Sequence, residues 1–260
     1  MIESTSNPTV RMLRDLHTRE GRKEHGAFLI EGTRLVAEAV EASWPLLAAL
    51  YDPDRLEGPL ASLVERIPTA APASAKAIKH ASDTMTPQGI VAAAALVPFT
   101  GAADPAEPLV LVLDGIADPG NAGTLLRSAL AAGVRTVLSG PDTVDLFAPK
   151  VVRGGMGAHF HLSLGSQLDW DSIAAAVGEG RKMVVAEATA DLPYYRFDWR
   201  RPSALIIGSE AHGPSAPALR LASARVSIPL SSGVESLNAA VAGSVILFEA
   251  KRQREANSEW

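Results

Sequence analysis

The sequence contains no cysteine. This absence excludes a disulfide scaffold, a thiolate zinc site and a cysteine nucleophile, and it is compatible with a reducing compartment. Long hydrophobic runs are missing as well, because stretches such as VAAAALV and LVLVL are much shorter than the roughly 20 residues that cross a bilayer. The opening residues MIESTSNPTVRMLRDL lack a basic region followed by an apolar core, so they predict no secretory signal. We therefore expect a cytoplasmic protein without membrane contact.

An excess of positive charge is also absent. Lys and Arg total 24 against 29 Asp and Glu, which gives a formal net charge of −5. Because phosphate contacts require clustered Lys and Arg, this balance argues against a general nucleic-acid binder, although a local basic face is compatible with it. The 260 residues, 47% apolar and 20% charged, exclude disorder and suffice for two modest domains.

Composition divides the chain at residues 98–108. This stretch, PFTGAADPAEP, is rich in Pro, Gly, Ala and acidic residues and lacks an apolar period, which predicts a linker. We therefore predict a smaller N-terminal α/β domain over residues 1–97 and a larger domain over residues 109–260. In the smaller domain, the patterns predict helices at 11–16 and 32–42 and strands at 28–30 and 90–92.

The larger domain alternates strands with helices. Strands are predicted at 109–113, 134–138, 183–186, 204–207 and 226–228, and helices at 121–132 and 236–251. The first strand, LVLVL, is a continuous apolar run, as expected for a strand buried on both faces of a parallel sheet. The alternation predicts an α/β fold with helices on both faces of a mostly parallel sheet. Ligands of such sheets bind beyond the carboxyl ends of the strands, so the loops there are the candidates for chemistry.

The first such loop is DGIADPGNAGTLLR, residues 114–127. Asn121 is predicted to cap the following helix, since its side-chain oxygen can accept an unpaired helix N–H. Arg127 lies four residues after Gly123, so a phosphate could approach the bare backbone beneath the arginine. From the spacing alone, a capped helix with a surface arginine is the favoured interpretation of the pattern.

The second loop is IIGSEAHGPS, residues 206–215, in which Gly208 and Gly213 bracket Glu210. Glycines at this turn would let a ligand approach the main chain, and Glu210 could bind a ribose hydroxyl or a nearby arginine. The alternative is a strand-to-helix turn whose acid caps the next helix. No phosphate-binding G-K-[ST] follows.

The third loop is IPLSSGVESLN, residues 228–238, and it leads into AAVAGSVILFE. Ser236 is predicted to begin the last helix as its cap, while capping explains Asn238 less well. The helix is apolar on nearly every side, which indicates burial all round. A terminal helix achieves such burial at a subunit interface, so a twofold homodimer is predicted.

The remaining glycine-dense run is RGGMG at residues 153–157. It lacks the dinucleotide-binding spacing and is expected to relieve packing between a helix and a strand that carries His159 and His161. A metal site at these two histidines is not expected, because no carboxylate motif accompanies them.

Taken in order, the three loops DPGNAGTLLRSALAAG, IIGSEAHG and IPLSSGVESLNAAVAGSVILFE resemble the motifs of the SpoU/TrmH branch of the SPOUT RNA methyltransferases. The segments SNPTVRMLRDL, GAFLIEGTRLVAEAV and TPQGIVA resemble the substrate-binding domain of that branch. Ala211 and Gly154-Gly155 depart from its usual pattern.

The resemblance implies a deep trefoil knot, an obligate dimer and S-adenosylmethionine as the cofactor. It places the cofactor against Gly208, Glu210, Gly213, Ile228, Leu230 and Leu237. It places the catalytic groups at Asn121, Arg127, Glu210, Ser236 and Asn238. It implies RNA contacts in the N-terminal domain, for which the basic residues Arg11, Arg14, Arg22 and Lys23 are candidates; a solvated helix with internal ion pairs is their alternative.

The implied reaction is methyl transfer to a ribose 2′-hydroxyl, with 23S ribosomal RNA favoured as the substrate. A tRNA ribose methyltransferase and an antibiotic-resistance rRNA methyltransferase are the alternatives within this class. More distant alternatives are a nucleotide-dependent Rossmann enzyme, which lacks its expected glycines and ribose-binding acid here, and a non-catalytic RNA-binding module.

Overall fold

The structure, a computed structural model, describes residues 1–234 and 236–255. The chain forms two compact units, and it enters the first of them twice. The first unit comprises Met1–Pro98 and Phe147–Phe160, and the second comprises Phe99–Leu146 and the chain from His161 onward. The segment 147–160, which the sequence pattern placed in the C-terminal domain, is therefore part of the first unit.

The helices are α1 (Pro8–Asp15), α2 (Arg19–His25), α3 (Thr33–Glu41), α4 (Pro59–Val64), α5 (Ala75–Ala81), α6 (Pro119–Ala131), α7 (Pro149–Gly155), α8 (Trp170–Val177), α9 (Ala216–Leu221) and α10 (Ala239–Glu255). The strands are β1 (Ala27–Glu31), β2 (Leu46–Tyr51), β3 (Ala70–Pro72), β4 (Ile90–Ala95), β5 (Leu109–Asp114), β6 (Thr136–Ser139), β7 (Ser163–Gly165), β8 (Lys182–Ala186), β9 (Ser203–Gly208) and β10 (Ala224–Val226).

The first unit is built on a four-stranded sheet of order β1-β4-β2-β3. Its central strand β4 is antiparallel to both neighbours. Side chains alternate between the two faces of a strand, so Ile90 and Ala92 pack into one buried cluster while Val91 and Ala93 pack into another. Helices cover both faces, which explains why a run of small apolar residues can form this strand.

The segment 147–160 completes the first of these clusters. The ring of Phe28 in β1 lies 5.2 Å from that of Phe147 and 6.2 Å from that of Phe160, centroid to centroid. Val152 of α7 is buried in the same cluster. Residues 1–97 alone therefore lack part of their own hydrophobic core.

The glycines of RGGMG permit a close contact inside this segment. A Cβ atom on Gly155 would lie 2.8 Å from Cε1 of His159, which is closer than side chains approach in practice. The strand predicted to carry both histidines is wrong, because residues 158–160 form a short 3₁₀ turn. His159 is buried and His161 is exposed, so the two rings do not share a strand face.

The second unit contains a six-stranded sheet of order β10-β8-β9-β5-β6-β7. Every pairing in it is parallel, which confirms the predicted α/β class. All six residues of β5 are buried, in agreement with its continuous apolar sequence. The trefoil knot that the resemblance implies stays a prediction.

Residues 99–108 have no regular secondary structure, yet they are fastened to the second unit. The Ala103 N–H donates to the Ala176 carbonyl at 2.9 Å. The buried Glu107 carboxylate accepts the backbone N–H groups of Arg135 and Thr136 at 2.6 and 2.8 Å. The expected linker is thus an ordered strap over much of its length.

After the adjacent parallel strands β5 and β9, the chain continues towards opposite edges of the sheet. The chain leaves β5 through α6 towards β6, whereas it leaves β9 through α9 towards β10 at the other edge. Such a switch point opens a crevice at the carboxyl ends of the two strands, where α/β proteins bind ligands.

Within the described residues, no helix is long and apolar enough to cross a membrane.

The buried Phe28 tests the packing of the first unit. Phe28→Ala should lower the free energy of unfolding by about 3–5 kcal/mol, because it removes a fully buried ring and leaves a cavity. Met85→Ala is the matched control, since Met85 is 83% exposed. Denaturant titration measures both, and equal losses for the two variants would contradict the packing described here.

Candidate functional site

A cavity of about 440 Å³ lies at the carboxyl ends of the strands in the second unit. This volume is within the range of small-molecule sites. All of the cofactor-binding candidates lie together on its wall: Gly208, Glu210, Gly213, Ile228, Leu230 and Leu237. Ser236 also lines the cavity. The second and third loops, separate in sequence, therefore form one site.

The loop after β9 folds back tightly on the end of its own strand. A Cβ atom on Gly208 would lie 2.5 Å from the Pro214 nitrogen, so only glycine fits there. Gly213 has a φ of +66°, and its N–H donates to the Ser209 carbonyl at 2.9 Å. The two glycines that bracket Glu210 thus shape a compact turn beside the cavity.

Asp114, at the end of β5, holds this turn from the neighbouring strand. It pairs in register with Gly208, and its Oδ2 accepts the backbone N–H of Ser215 at 2.6 Å. Burial raises the pKa of the Asp114 carboxyl above its ordinary value, and the hydrogen bond from Ser215 opposes that rise. The loop is therefore anchored by a buried acid that the sequence pattern did not single out.

Asn121 is not the cap of its helix, so that prediction is wrong. Helix α6 starts two residues earlier, at Pro119, and Asp118 is its N-cap, whose side chain accepts the N–H of Asn121 at 2.9 Å. Proline suits the first helical position because it has no N–H to leave unpaired. The Asn121 side chain is consequently free of capping, and its Nδ2 donates to Oε1 of Glu210.

Asn238, rather than Ser236, caps the last helix, so the predicted start is wrong as well. The Asn238 Oδ1 accepts the N–H groups of Ala240 and Val241 at 3.0 and 3.2 Å. With its oxygen engaged, the amide directs Nδ2 to Oδ1 of Asn121 at 3.0 Å. We call the resulting chain of hydrogen bonds from Asn238 through Asn121 to Glu210 the amide relay.

The amide relay has a fixed direction. Because Asn238 presents its Nδ2 to Asn121, Asn121 must accept through its oxygen and donate through its nitrogen. Glu210 is therefore the final acceptor, a role that suits an ionised carboxylate. The relay joins all three loops, although their residues are about 90 to 120 positions apart in the sequence.

Arg127 lies apart from these contacts. It is exposed on α6 and belongs neither to the cavity wall nor to the amide relay. Gly123 is buried, so the expectation that a phosphate approaches its bare backbone is wrong. Because the Arg127 guanidinium is exposed on the helix that carries Asn121, it is accessible to a large anionic ligand.

The sequence patterns missed the contribution of the loop after β8. Glu187, Ala188 and Thr189 line the cavity, and they directly follow a strand that the sequence did predict. The rule that ligands bind beyond strand ends would have found them. The signal was thus present in the position of the residues rather than in their types.

The cavity wall suits a cationic, partly apolar molecule. Among the described residues that line it, Glu187 and Glu210 supply negative charge, and none is a lysine or arginine. Apolar side chains form much of the remaining surface, including Ile228, Leu230 and Leu237. These residues fit S-adenosylmethionine, which combines a flat base with a positively charged sulfonium.

In the first unit, three of the four RNA-binding candidates lie on the surface. Arg11, Arg14 and Lys23 are exposed. Arg22 is only 4% exposed, and its Nη1 donates to the Leu16 carbonyl at 2.8 Å, so its proposed RNA contact is wrong.

Elsewhere, no three His, Asp or Glu side chains of the described ranges converge as a metal site requires.

Comparison with protein families identifies both parts of the chain. The sequence profile of the SpoU rRNA Methylase family matches residues 108–248. The profile of an MRM3-like substrate binding domain matches residues 7–92.

Relatives match over nearly the full length. A 23S rRNA (guanosine(2553)-2′-O)-methyltransferase, RlmP of Bacillus subtilis, is 32% identical, and the match covers 95% of this chain and 97% of the relative. The mitochondrial rRNA methyltransferase 3 of Mus musculus is 33% identical, with 91% of this chain and 70% of the relative covered. A solved rRNA methyltransferase from Sinorhizobium meliloti with AdoMet bound is 29% identical and superposes with a TM-score of 0.84, covering 96% and 97% of the two chains.

Two substitutions at Asn238 separate its capping from its place in the amide relay. Asn238→Ala removes the cap and should cost about 1 kcal/mol of stability. Asn238→Asp keeps an acceptor for the helix N–H groups but removes the Nδ2 that donates to Asn121. We expect Asn238→Asp to unfold near the wild-type temperature, while methyl transfer to RNA falls at least about tenfold, because the hydrogen bond that orients the Asn121 amide, and through it the Glu210 carboxylate, is lost.

Thermal melting and a methyl-transfer assay measure the two effects. Equal destabilisation by both substitutions would contradict the capping assignment. Full activity of Asn238→Asp would contradict a functional role for the amide relay.

Proposed function

The chain belongs to the SpoU rRNA methylase family, as an S-adenosylmethionine-dependent RNA 2′-O-methyltransferase, and on this premise we propose that its substrate is 23S ribosomal RNA. One observation carries the proposal: the second and third loops line one cavity, and the amide relay joins both of them to Asn121 of the first loop. Two relatives that cover this chain almost completely are named 2′-O-methyltransferases of 23S rRNA, which supports the choice of RNA.

The reaction requires the ribose 2′-oxygen to lie in line with the bond that breaks. S-adenosylmethionine supplies an activated methyl group with a neutral sulfide as the leaving group, so the protein contributes mainly by positioning. Gly208 and Gly213 give the turn at the cavity its shape. The amide relay holds the Glu210 carboxylate as an acceptor at the cavity edge, where it can orient a hydroxyl.

We assign Arg127 to the RNA rather than to proton removal. A guanidinium holds its proton at physiological pH, so its use as a base is costly. Its planar fork binds a phosphate through two parallel hydrogen bonds. Its exposure on α6, the helix that also carries Asn121, supports a contact with the phosphate beside the modified ribose.

Mapping of ribose methylation tests both the substrate and this role. Cells that lack the gene should lose 2′-O-methylation at a nucleotide of 23S rRNA, and the wild-type gene should restore it. Arg127→Lys keeps the charge but loses the fork, and we expect purified enzyme to transfer methyl groups about a hundredfold more slowly. Binding of S-adenosylmethionine, measured by calorimetry, should be unchanged because Arg127 does not line the cavity.

Each arm of this experiment has a contrary result. Loss of methylation from tRNA alone would overturn the ribosomal substrate. Near-normal turnover of Arg127→Lys would overturn a role that depends on the planar fork.

We further propose that two copies of the chain pair through α10. One side of this helix packs inside its own unit, where Gly243 approaches Leu125 so closely that a Cβ atom would lie 2.4 Å from Cδ2. Val241, Val245 and Phe248, at successive turns, are 49%, 36% and 47% exposed. Such an apolar stripe on a helix is stabilised by burial, and a twofold partner provides the same stripe in return.

A charge placed in this stripe tests the pairing. Val245→Glu should convert a dimer into a monomer, because association would bury an unpaired carboxylate. Leu47→Glu is the matched control, since Leu47 is also apolar and 46% exposed but lies in β2. Sedimentation velocity measures the assembly, and a monomeric wild type would overturn the dimer without affecting the methyl-transfer proposal.

A further inference from the structure

A shallow basic groove lies on the first unit between α1 and α5. It has a volume of about 310 Å³ and is lined by Thr5, Arg14, Lys76, Lys79 and His80. We call these residues the basic groove. Arg14 was among the RNA-binding candidates, whereas the two lysines and the histidine were not.

Helix α5 presents its basic residues on one side because of its packing. Ala77, Ile78 and Ala81 are buried in the cluster that also contains Val10 and Leu13 of α1. Positions three and four apart share a helix face, so Lys76, Lys79 and His80 point away from that core together. The two helices thereby place their cations side by side.

No acid neutralises these cations within the described residues. The carboxylates nearest along the chain are engaged elsewhere: Asp15 pairs with His25 at 3.2 Å, and Asp83 pairs with Arg153 at 2.7 Å. The described structure contains no ion pair of Lys76, Lys79 or Arg14 with a carboxylate. A protein with a net charge of −5 thus keeps an unpaired positive surface here.

Stability of the helix does not explain this arrangement. Lys79 and His80 lie in the last turn of α5, where the helix dipole favours cations. Lys76 lies in the first turn, where the dipole disfavours a cation, and it faces Lys79 at a spacing that is repulsive for like charges. The helix dipole therefore does not account for Lys76, and an anionic ligand would offset its repulsion from Lys79.

We propose that the basic groove binds the phosphodiester backbone of the RNA substrate, an inference that rests on the proposed function. The residues that line it offer cations and a hydroxyl but no Phe, Tyr or Trp for stacking on bases. Contacts of this kind position an RNA without reading its sequence. The groove thus supplies affinity and register, and it leaves the choice of nucleotide to other contacts.

The double variant Lys76→Gln/Lys79→Gln tests the proposal in the full-length protein. Its affinity for a 23S rRNA transcript at about 0.1 M salt should fall roughly tenfold, and the slope of log affinity against log salt should flatten by about 1.5, as for two lost phosphate contacts. In the methyl-transfer assay the KM for RNA should rise, while kcat at saturating RNA should be unchanged. Affinity for S-adenosylmethionine should equal that of the wild type, which also verifies folding.

Arg66→Gln/Lys182→Gln is the matched control. It removes the same charge from two exposed residues outside the groove, and its salt slope should equal that of the wild type. If the groove variant keeps the wild-type slope, or loses no more than the control, the proposal is wrong.

Binding and methyl transfer separate this inference from the function on which it rests. An active wild type with an unchanged groove variant overturns the groove alone. A flattened slope in a protein that does not methylate 23S rRNA overturns the proposed function alone.

Discussion

The amide relay is the interaction on which the site depends. Asn238 must satisfy two backbone N–H groups at the start of α10, and this requirement alone orients its amide towards Asn121. Asn121 in turn has no freedom to flip, because its oxygen is already engaged, and so it donates to Glu210. The capping of α10 by Asn238 therefore helps to fix the position of the Glu210 carboxylate on another loop. Side chains of ordinary types gain a defined geometry because each fixes the next.

How far the sequence determines this arrangement differs between the sheet and the caps. The run LVLVL predicted β5 to within one residue, because a strand buried on both faces needs apolar residues at every position. The caps at Asn121 and Ser236 were predicted from residue type, and both were wrong, since asparagine and serine serve equally well inside a polar network. For α6 the sequence did contain the correct capping signal, because Asp118 directly precedes Pro119.

Other features depend on partners that periodicity cannot identify. A helix pattern predicted nothing about which unit α7 would join, and its place beside β1 is decided by the fit of Phe147 and Phe160 around Phe28. Arg22 occupies a charged stretch typical of a solvated helix, yet it is buried, and its Nη1 donates to the Leu16 carbonyl. These outcomes are set by tertiary contacts, which compete with and override local preference.

The chain also resolves two opposite electrostatic demands. A sulfonium cofactor favours acidic surroundings, and the cavity in the second unit carries Glu187 and Glu210 without a lysine or arginine among its described lining residues. RNA favours the reverse, and the proposed basic groove of the first unit meets that demand with Arg14, Lys76 and Lys79. A single basic surface serving both ligands would repel the cofactor. Separating the charges between two units lets a protein with a net charge of −5 bind a polyanion, so net charge alone was a poor guide to its partner.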